Sequence, residues 1–189
     1  MKNPYYPNLA SPIVINGVTF KNRIFGAPMS NPELDPDCHM RKEDMAFHEN
    51  RASGGIASVA IGLGIVDAVG RTHTKEVTLY DVMSLPSLKE MANAMHHHNC
   101  NAVMELAHGG KYANARSHEH DFGRCAIGPN DEMNPEGVQV RSMTDEDIYR
   151  VADCFAEAAK LVKEAGFDMV LVHGGHGWLL GQFMSPYES

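Results

Sequence analysis

At 189 residues the chain is long enough for one domain with a sizeable core. Its 43% hydrophobic and 21% charged residues are the proportions of a globular protein, which excludes a disordered chain. A formal net charge of −8 excludes nucleic acid or an anionic membrane surface as the main partner, because both repel an acidic face.

The amino terminus, "MKNPYYPNLASP", has prolines where a signal peptide needs an apolar run, so the expected location is cytoplasmic, with no membrane span. In "IVINGVTFKN", apolar residues alternate around Asn16-Gly17, and those two accept the positive φ of a tight hairpin turn. A short strand in "RIFGAPM" is expected to end at Pro28, followed by a polar loop over 31–40 and a helix over 41–53 stopped by Gly54-Gly55. "IASVAIG" (56–62) is a β-branched and small run suited to a strand buried on both faces. A helix over 85–99 sets Leu88, Met91, Ala92 and Met95 on one face, capped by Ser84 or by Ser87 with Glu90. "NAVMELAH" (101–108) is the third strand.

The segment 109–143 has little periodicity and several glycines and prolines, the character of a functional or mobile loop. Thr144 then opens the best-defined helix, with Asp145, Glu146 and Asp147 at the positive end of its dipole. Ile148, Val151, Ala152, Phe155, Ala159 and Val162 form its apolar stripe, and Gly166 sits where a terminating cap belongs. "FDMVLVH" is the fourth strand.

Repeated strand–helix units imply parallel strands with helical crossovers, in a doubly wound sheet or a (β/α)8 TIM barrel. The first strand runs into "APMSNPE" with no glycine-rich phosphate turn, which favours the barrel. A hairpin plus about four β-α units is the amino-terminal half of such an α/β barrel, so residues 1–189 are expected to be part of one domain. Half a barrel leaves two open edge strands, so a homo-oligomer through those edges stays open.

The unusual residues fall at the carboxyl ends of the strands, where such barrels build their sites: Pro28-Met29-Ser30, Gly62, Glu105 through His108, and His173 through His176. His173 and His176 lie among glycines that leave them little packing to do, which favours a functional role. His108 reads equally well as a core histidine, and His96-His97-His98 as a solvated helix end; His118 and His120 read as exposed. Four cysteines without a C-x-x-C pair are expected to be free thiols. A metal-dependent TIM-barrel hydrolase using His173, His176, His108 and Glu105 is the rival reading, although the H-G-G-H glycines argue against a shared helical face.

"FKNRIFGAPM", "MELAHGGK" and "GFDMVLVHGGHGWLLGQFMSP" resemble, in order and spacing, three landmarks of the Old Yellow Enzyme family, closest to its NADH:flavin oxidoreductase, enoate and dienoyl-CoA reductase branch. The resemblance implies a barrel with FMN across the carboxyl ends of its strands and NADH or NADPH as reductant. It implies an enone, enoate or enoyl-thioester as the small-molecule substrate, and leaves open FAD and a 4Fe–4S cluster in a longer parent protein. By position, Ala27, Pro28, Met29 and Ser30 would line the flavin, Gly62 would let the second strand approach it, and Glu105 would meet its pyrimidine edge where Gln is common. His173 and His176 would hold the substrate's carbonyl oxygen. Trp178 would border the substrate where many relatives have a proton-donating Tyr. Relatives continue past the "SP" of Ser185-Pro186 with four more strands, so the 189 residues alone are expected to bind FMN weakly and to be inactive.

Overall fold

The computed structural model describes residues 4–30, 34, 39–72, 76–113 and 125–187. Strands β1 (Ile13–Ile15) and β2 (Val18–Phe20) form the expected antiparallel hairpin. Its turn residues Asn16 and Gly17 have φ of 47° and 82°, the conformation for which Asn-Gly is suited. Phe20 is fully buried, and its ring meets Phe25 at 5.0 Å, fastening the hairpin to the first strand of the main sheet.

That sheet follows in chain order. β3 (Phe25–Met29) leads through α1 (Lys42–Ser53) to β4 (Ser58–Ile65), on which the short β5 (Val77–Thr78) pairs. Helix α2 (Leu85–His97) returns the chain to β6 (Asn101–Ala107). All pairings are parallel, and neighbours in sequence are neighbours in space, as helical crossovers of one hand require. The core lies between the strands and helices: Leu88, Met91 and Met95 of α2 are fully buried in one cluster with Val59, Ile61 and Met104. Each such side chain contributes about 1.5–3 kcal/mol of burial.

The segment 109–143, expected to be irregular, contains a small sheet of β7 (Ala126–Gly128), β8 (Glu132–Met133) and β9 (Gln139–Ser142) in the order β7-β9-β8. Strands of two to four residues are too short to show a period. Helix α3 (Asp145–Glu164) starts at a capping box in which the Thr144 hydroxyl accepts from the Asp147 N–H and the Asp147 carboxylate accepts from the Thr144 N–H. It leads to β10 (Met169–Val172), which pairs with β6, so the sheet reads β10-β6-β4-β3; α4 (Leu179–Met184) follows. This is part of a (β/α)8 barrel, as expected.

Four local expectations are corrected. Neither Ser84 nor Ser87 caps α2: a 3-10 turn over Val82–Ser84 runs straight into it, Asp81 caps that turn through the Met83 N–H, and the Ser84 hydroxyl donates to the Thr78 carbonyl at 2.6 Å. Ala152 and Ile148 of the α3 stripe are exposed; the helix buries Val151, Ala158 and Val162 instead. Pro28 does not end β3 but lies within it, as an edge strand permits. Gly62 does not end its strand either: β4 runs on to Ile65, and its ladder with β6 shifts register between Ile61 and Gly64.

Candidate active site

A cavity of about 570 Å³ opens at the carboxyl ends of the main strands, lined by Ala27, Pro28, Ser30, Gly62, Leu63, Glu105 and the turn from Leu171 to Trp178. It thus gathers the expected site residues from four separate strands, with one exception. Met29 pairs through its backbone with Ile61, and its half-exposed side chain is not part of the lining. The strand is irregular here, its register against β4 shifting between Gly26 and Met29, so Ala27, Pro28 and Ser30 line the cavity and Met29 does not.

The histidine turn owes its shape to two residues at positive φ, His176 at 57° and Gly177 at 68°. For a histidine that conformation is uncommon and costs on the order of 1 kcal/mol, so the fold here holds a strained side chain at the cavity mouth. The Trp178 N–H donates to Gly175 O at 3.1 Å, and the indole stands edge-on to His173 with centroids 5.2 Å apart.

Glu105, on β6, is buried, and its Oε1 lies 2.8 Å from His173 Nδ1. The other ring nitrogen of His173, Nε2, lies 3.2 Å from His176 Nδ1, and the two rings stack at 5.1 Å with 19° between their planes. Both nitrogens of His173 are therefore engaged, while His176 lines the cavity with its Nδ1 used and no hydrogen bond on its Nε2 among the described residues. Beneath them Gly62 makes room for the carboxylate: a Cβ there would stand 2.7 Å from Glu105 Oε2.

Two supporting residues escaped sequence reasoning. Gln182, buried in α4, donates from Nε2 to the carbonyls of Gly177 and Gly109 and accepts the Lys111 N–H. It ties the histidine turn to the turn after β6, and a lone amide in the apolar run "LLGQFM" was its signal. Arg51 of α1 donates to Ala27 O at 2.6 Å and Ala60 O at 3.4 Å, clamping β3 to β4 behind the cavity.

The remaining candidates lie elsewhere. His108 is fully buried outside the lining, with Nδ1 accepting the Gly110 N–H at 3.0 Å and Nε2 3.7 Å from Asp67 Oδ2. Burial works against the charge of Asp67, but His108 and Arg150 beside it outweigh burial and hold the carboxyl well below the usual carboxylate range. His96 and His98 are paired rather than merely solvated: His96 with Asp168 at 2.8 Å and His98 with Glu49 at 3.1 Å, close to the strands' amino ends. His118 and His120 lie outside the described residues, as does Cys38, while Cys100, Cys125 and Cys154 are free thiols. Among the described residues no three His, Cys, Asp or Glu side chains are disposed to hold a metal ion, and no helix is long and apolar enough to cross a membrane.

Residues 8–189 match the family described as NADH:flavin oxidoreductase / NADH oxidase. The chain belongs to this family. It is 30% identical over 183 residues to an NADPH dehydrogenase of Geobacillus sp. (strain WCH70), covering 96% of this chain and 52% of that protein. It is 33% identical to an NADPH dehydrogenase of Listeria monocytogenes serotype 4a (strain HCC23), covering 94% and 51%. The chain thus spans about half the length of the curated relatives it matches. Among solved structures, a 2-naphthoyl-CoA reductase in complex with 2-naphthoyl-CoA superposes with a TM-score of 0.89 at 25% identity, over 97% of this chain and 30% of that one. The Old Yellow Enzyme from Pichia sp. AKU4542 gives 0.88 at 24%, over 96% and 50%. These likenesses identify the five-stranded parallel sheet as part of the family's barrel.

Proposed function

We propose that these residues are the amino-terminal part of one FMN-binding barrel domain that reduces activated C=C bonds of α,β-unsaturated carbonyl compounds with NADH or NADPH. The observation that carries the reading is the stacked His173–His176 pair at the mouth of a cavity walled by Ala27, Pro28 and Gly62. A flat ring needs a wall of small side chains, and about 570 Å³ lies within the range of about 300–1,000 Å³ usual for ligand sites. The donor set fits as well, since a carboxylate oxygen of Glu105 lies over Gly62 where it can accept an N–H from a pyrimidine edge. FMN, when bound, would supply hydride for the substrate's β-carbon. Ala27, Pro28, Ser30 and the backbone of Met29 would hold the ring, and His176, backed by His173, would bind the carbonyl oxygen and stabilise the charge it gains. Trp178 would wall the substrate side; its indole N–H is too weak an acid to serve as the proton source. NADPH dehydrogenases at 30–33% identity and a reductase of an aromatic acyl-CoA among the fold relatives support this class of chemistry.

A chimera joining these 189 residues to the carboxyl-terminal half of the Geobacillus relative tests the reading. It should purify yellow and oxidise NADPH faster when cyclohexenone is added. A folded but colourless chimera would refute the flavin, and NADPH oxidation indifferent to the enone would refute the C=C chemistry. The 189-residue chain alone should bind FMN weakly and show no turnover; a monomer holding FMN tightly would overturn the half-barrel reading.

A further inference from the structure

Glu105, His173 and His176 form a hydrogen-bonded line whose polarity has a consequence for the substrate. An ionised carboxylate only accepts hydrogen bonds, so at 2.8 Å it requires the proton of His173 on Nδ1. A neutral His173 then offers Nε2 as an acceptor, and the 3.2 Å contact requires the proton of His176 on Nδ1 as well. In that state His176 Nε2 is bare, and the line presents a lone pair to the cavity. One further proton reverses the outer end. Whether it sits on His176 as imidazolium or is relayed inward until Glu105 is neutral, His176 Nε2 then carries an N–H pointing outward.

We propose that Glu105 is a positioning residue that fixes both tautomers, and that Glu105–His173–His176 is a proton relay whose outer nitrogen delivers the proton consumed in the reduction. This rests on the reading of the cavity given above. The titratable side chains lining it are Glu105, His173 and His176 themselves, and the elements around them contribute Ala27, Pro28, Ser30, Gly62, Leu63, Leu171, Val172 and the indole of Trp178. Among the described residues the added proton therefore has no other acidic or basic neighbour in the cavity wall. The line is neutral when it donates and carries one negative charge when it does not.

The step balances. Addition of hydride to the β-carbon pushes the alkene electrons onto the carbonyl oxygen. That oxygen takes the proton from His176 Nε2, leaving the N–H bonding pair on the nitrogen. The line passes from neutral to one negative charge, solvent restores its proton, and the enol product tautomerises in water. Trp178, packed edge-on to His173, would orient the inner ring and take no proton itself.

The test is nitrogen-15 spectroscopy of the histidine rings in the 189-residue chain without cofactor, from mildly acidic to mildly alkaline pH. Once the line has lost its extra proton, His173 Nδ1 should hold the upfield position of an N–H-bearing nitrogen. His176 Nε2 should move from that position to the far-downfield position of a bare nitrogen as the line loses its proton. In Glu105→Gln, whose amide can donate or accept, the His173 tautomer should no longer be locked and the two ring signals should average. A bare Nδ1 on His173 at the alkaline end in wild type would overturn the proposal, as would a Glu105→Gln spectrum superposing on it. The cofactor-free chain separates this outcome from the flavin reading, which stands or falls on the yellow chimera.

Discussion

In α1, Asp44 and His48 stand one helical turn apart, both buried, with Oδ1 and Nε2 4.0 Å apart and neither atom hydrogen-bonded. In the cavity, Glu105 and His173 carry the same two functional groups, but they reach from the adjacent strand β6 and from the turn after β10, and they meet at 2.8 Å. The difference is partly one of reach. The helix fixes the separation of residues four apart, and the short Asp44 side chain cannot close the gap, whereas Glu105 has one more methylene. It is also one of exposure. Burial pushes the Asp44 carboxyl up to about 7, and burial together with the charge of Arg51 pushes His48 down to about 4, so the sealed pair sheds its charge. The cavity pair instead continues through His176 to an open nitrogen. A carboxylate beside an imidazole is therefore no sign of chemistry until it has somewhere to send a proton.

The largest effect should come from breaking the open pair. His173→Ala in the flavin-loaded chimera should slow enone-dependent NADPH oxidation by up to about 10²–10³-fold, the loss typical of an oxyanion-stabilising donor, because it leaves His176 without the partner that orients it, with FMN still bound. A rate within a factor of about two of the parent would remove the pair from the chemistry. The third buried contact should behave in the opposite way. Asp67 holds Arg150 at 2.6 Å, faces His108 and accepts the Val69 N–H. Asp67→Ala leaves those groups unpaired and should cost about 3 kcal/mol in urea unfolding. The nitrogen signals of His173 and His176 should not move; if they did, the two clusters would be coupled.

The sealed pair offers a prediction with a defined sign. The folded Asp44 carboxyl titrates near 7 against an ordinary value of 3.8, so its contribution is intact below pH 3.8 and is lost as pH rises toward 7. Asp44→Asn removes that loss. It should raise stability by on the order of 2 kcal/mol at neutral pH, and the gain should shrink to nothing in acid. His48 contributes with the other sign, present above its ordinary 6.5 and lost as pH falls through about 4, and the substitution leaves that part in place. Urea midpoints across this range decide it; a gain independent of pH would mean that Asp44 is not the titrating group.

Which parts of this were legible in the sequence follows from the length of the signal. The hairpin at Asn16-Gly17, the stripe of Leu88, Met91 and Met95, and the cap at Thr144 each repeat a pattern over several residues, and each is found in the structure. The small sheet of β7, β8 and β9 was not legible, because its strands are no longer than the turns between them. Glu105, His173 and His176 could be placed on neighbouring strand ends by counting β-α units, so their meeting was foreseeable. Their order was not. The resemblance set two imidazoles side by side against one oxygen, whereas the rings lie one behind the other, with both nitrogens of His173 engaged. Gln182 depends on backbone groups brought from about seventy residues away, of which its own segment shows only a lone amide. The Asp81 cap, by contrast, takes an N–H two residues on and is a local signal that escaped sequence reasoning.

The smallest effect is expected at the opposite end of the strands. His96 Nε2 and Asp168 Oδ2 are 2.8 Å apart, but the two side chains are 40% and 26% exposed, so water and salt screen them. His96→Ala should cost no more than about 0.5 kcal/mol, and less at high salt. Asp168→Ala should cost more, about 1–2 kcal/mol and with little salt dependence, because the same carboxylate oxygen also accepts the Ala102 N–H at 2.8 Å where β6 begins. If the two substitutions proved equal, the ion pair rather than the strand anchor would hold this end of the sheet. The contrast with the cavity would then be one of location alone, since both ends would depend on a contact between a carboxylate and an imidazole.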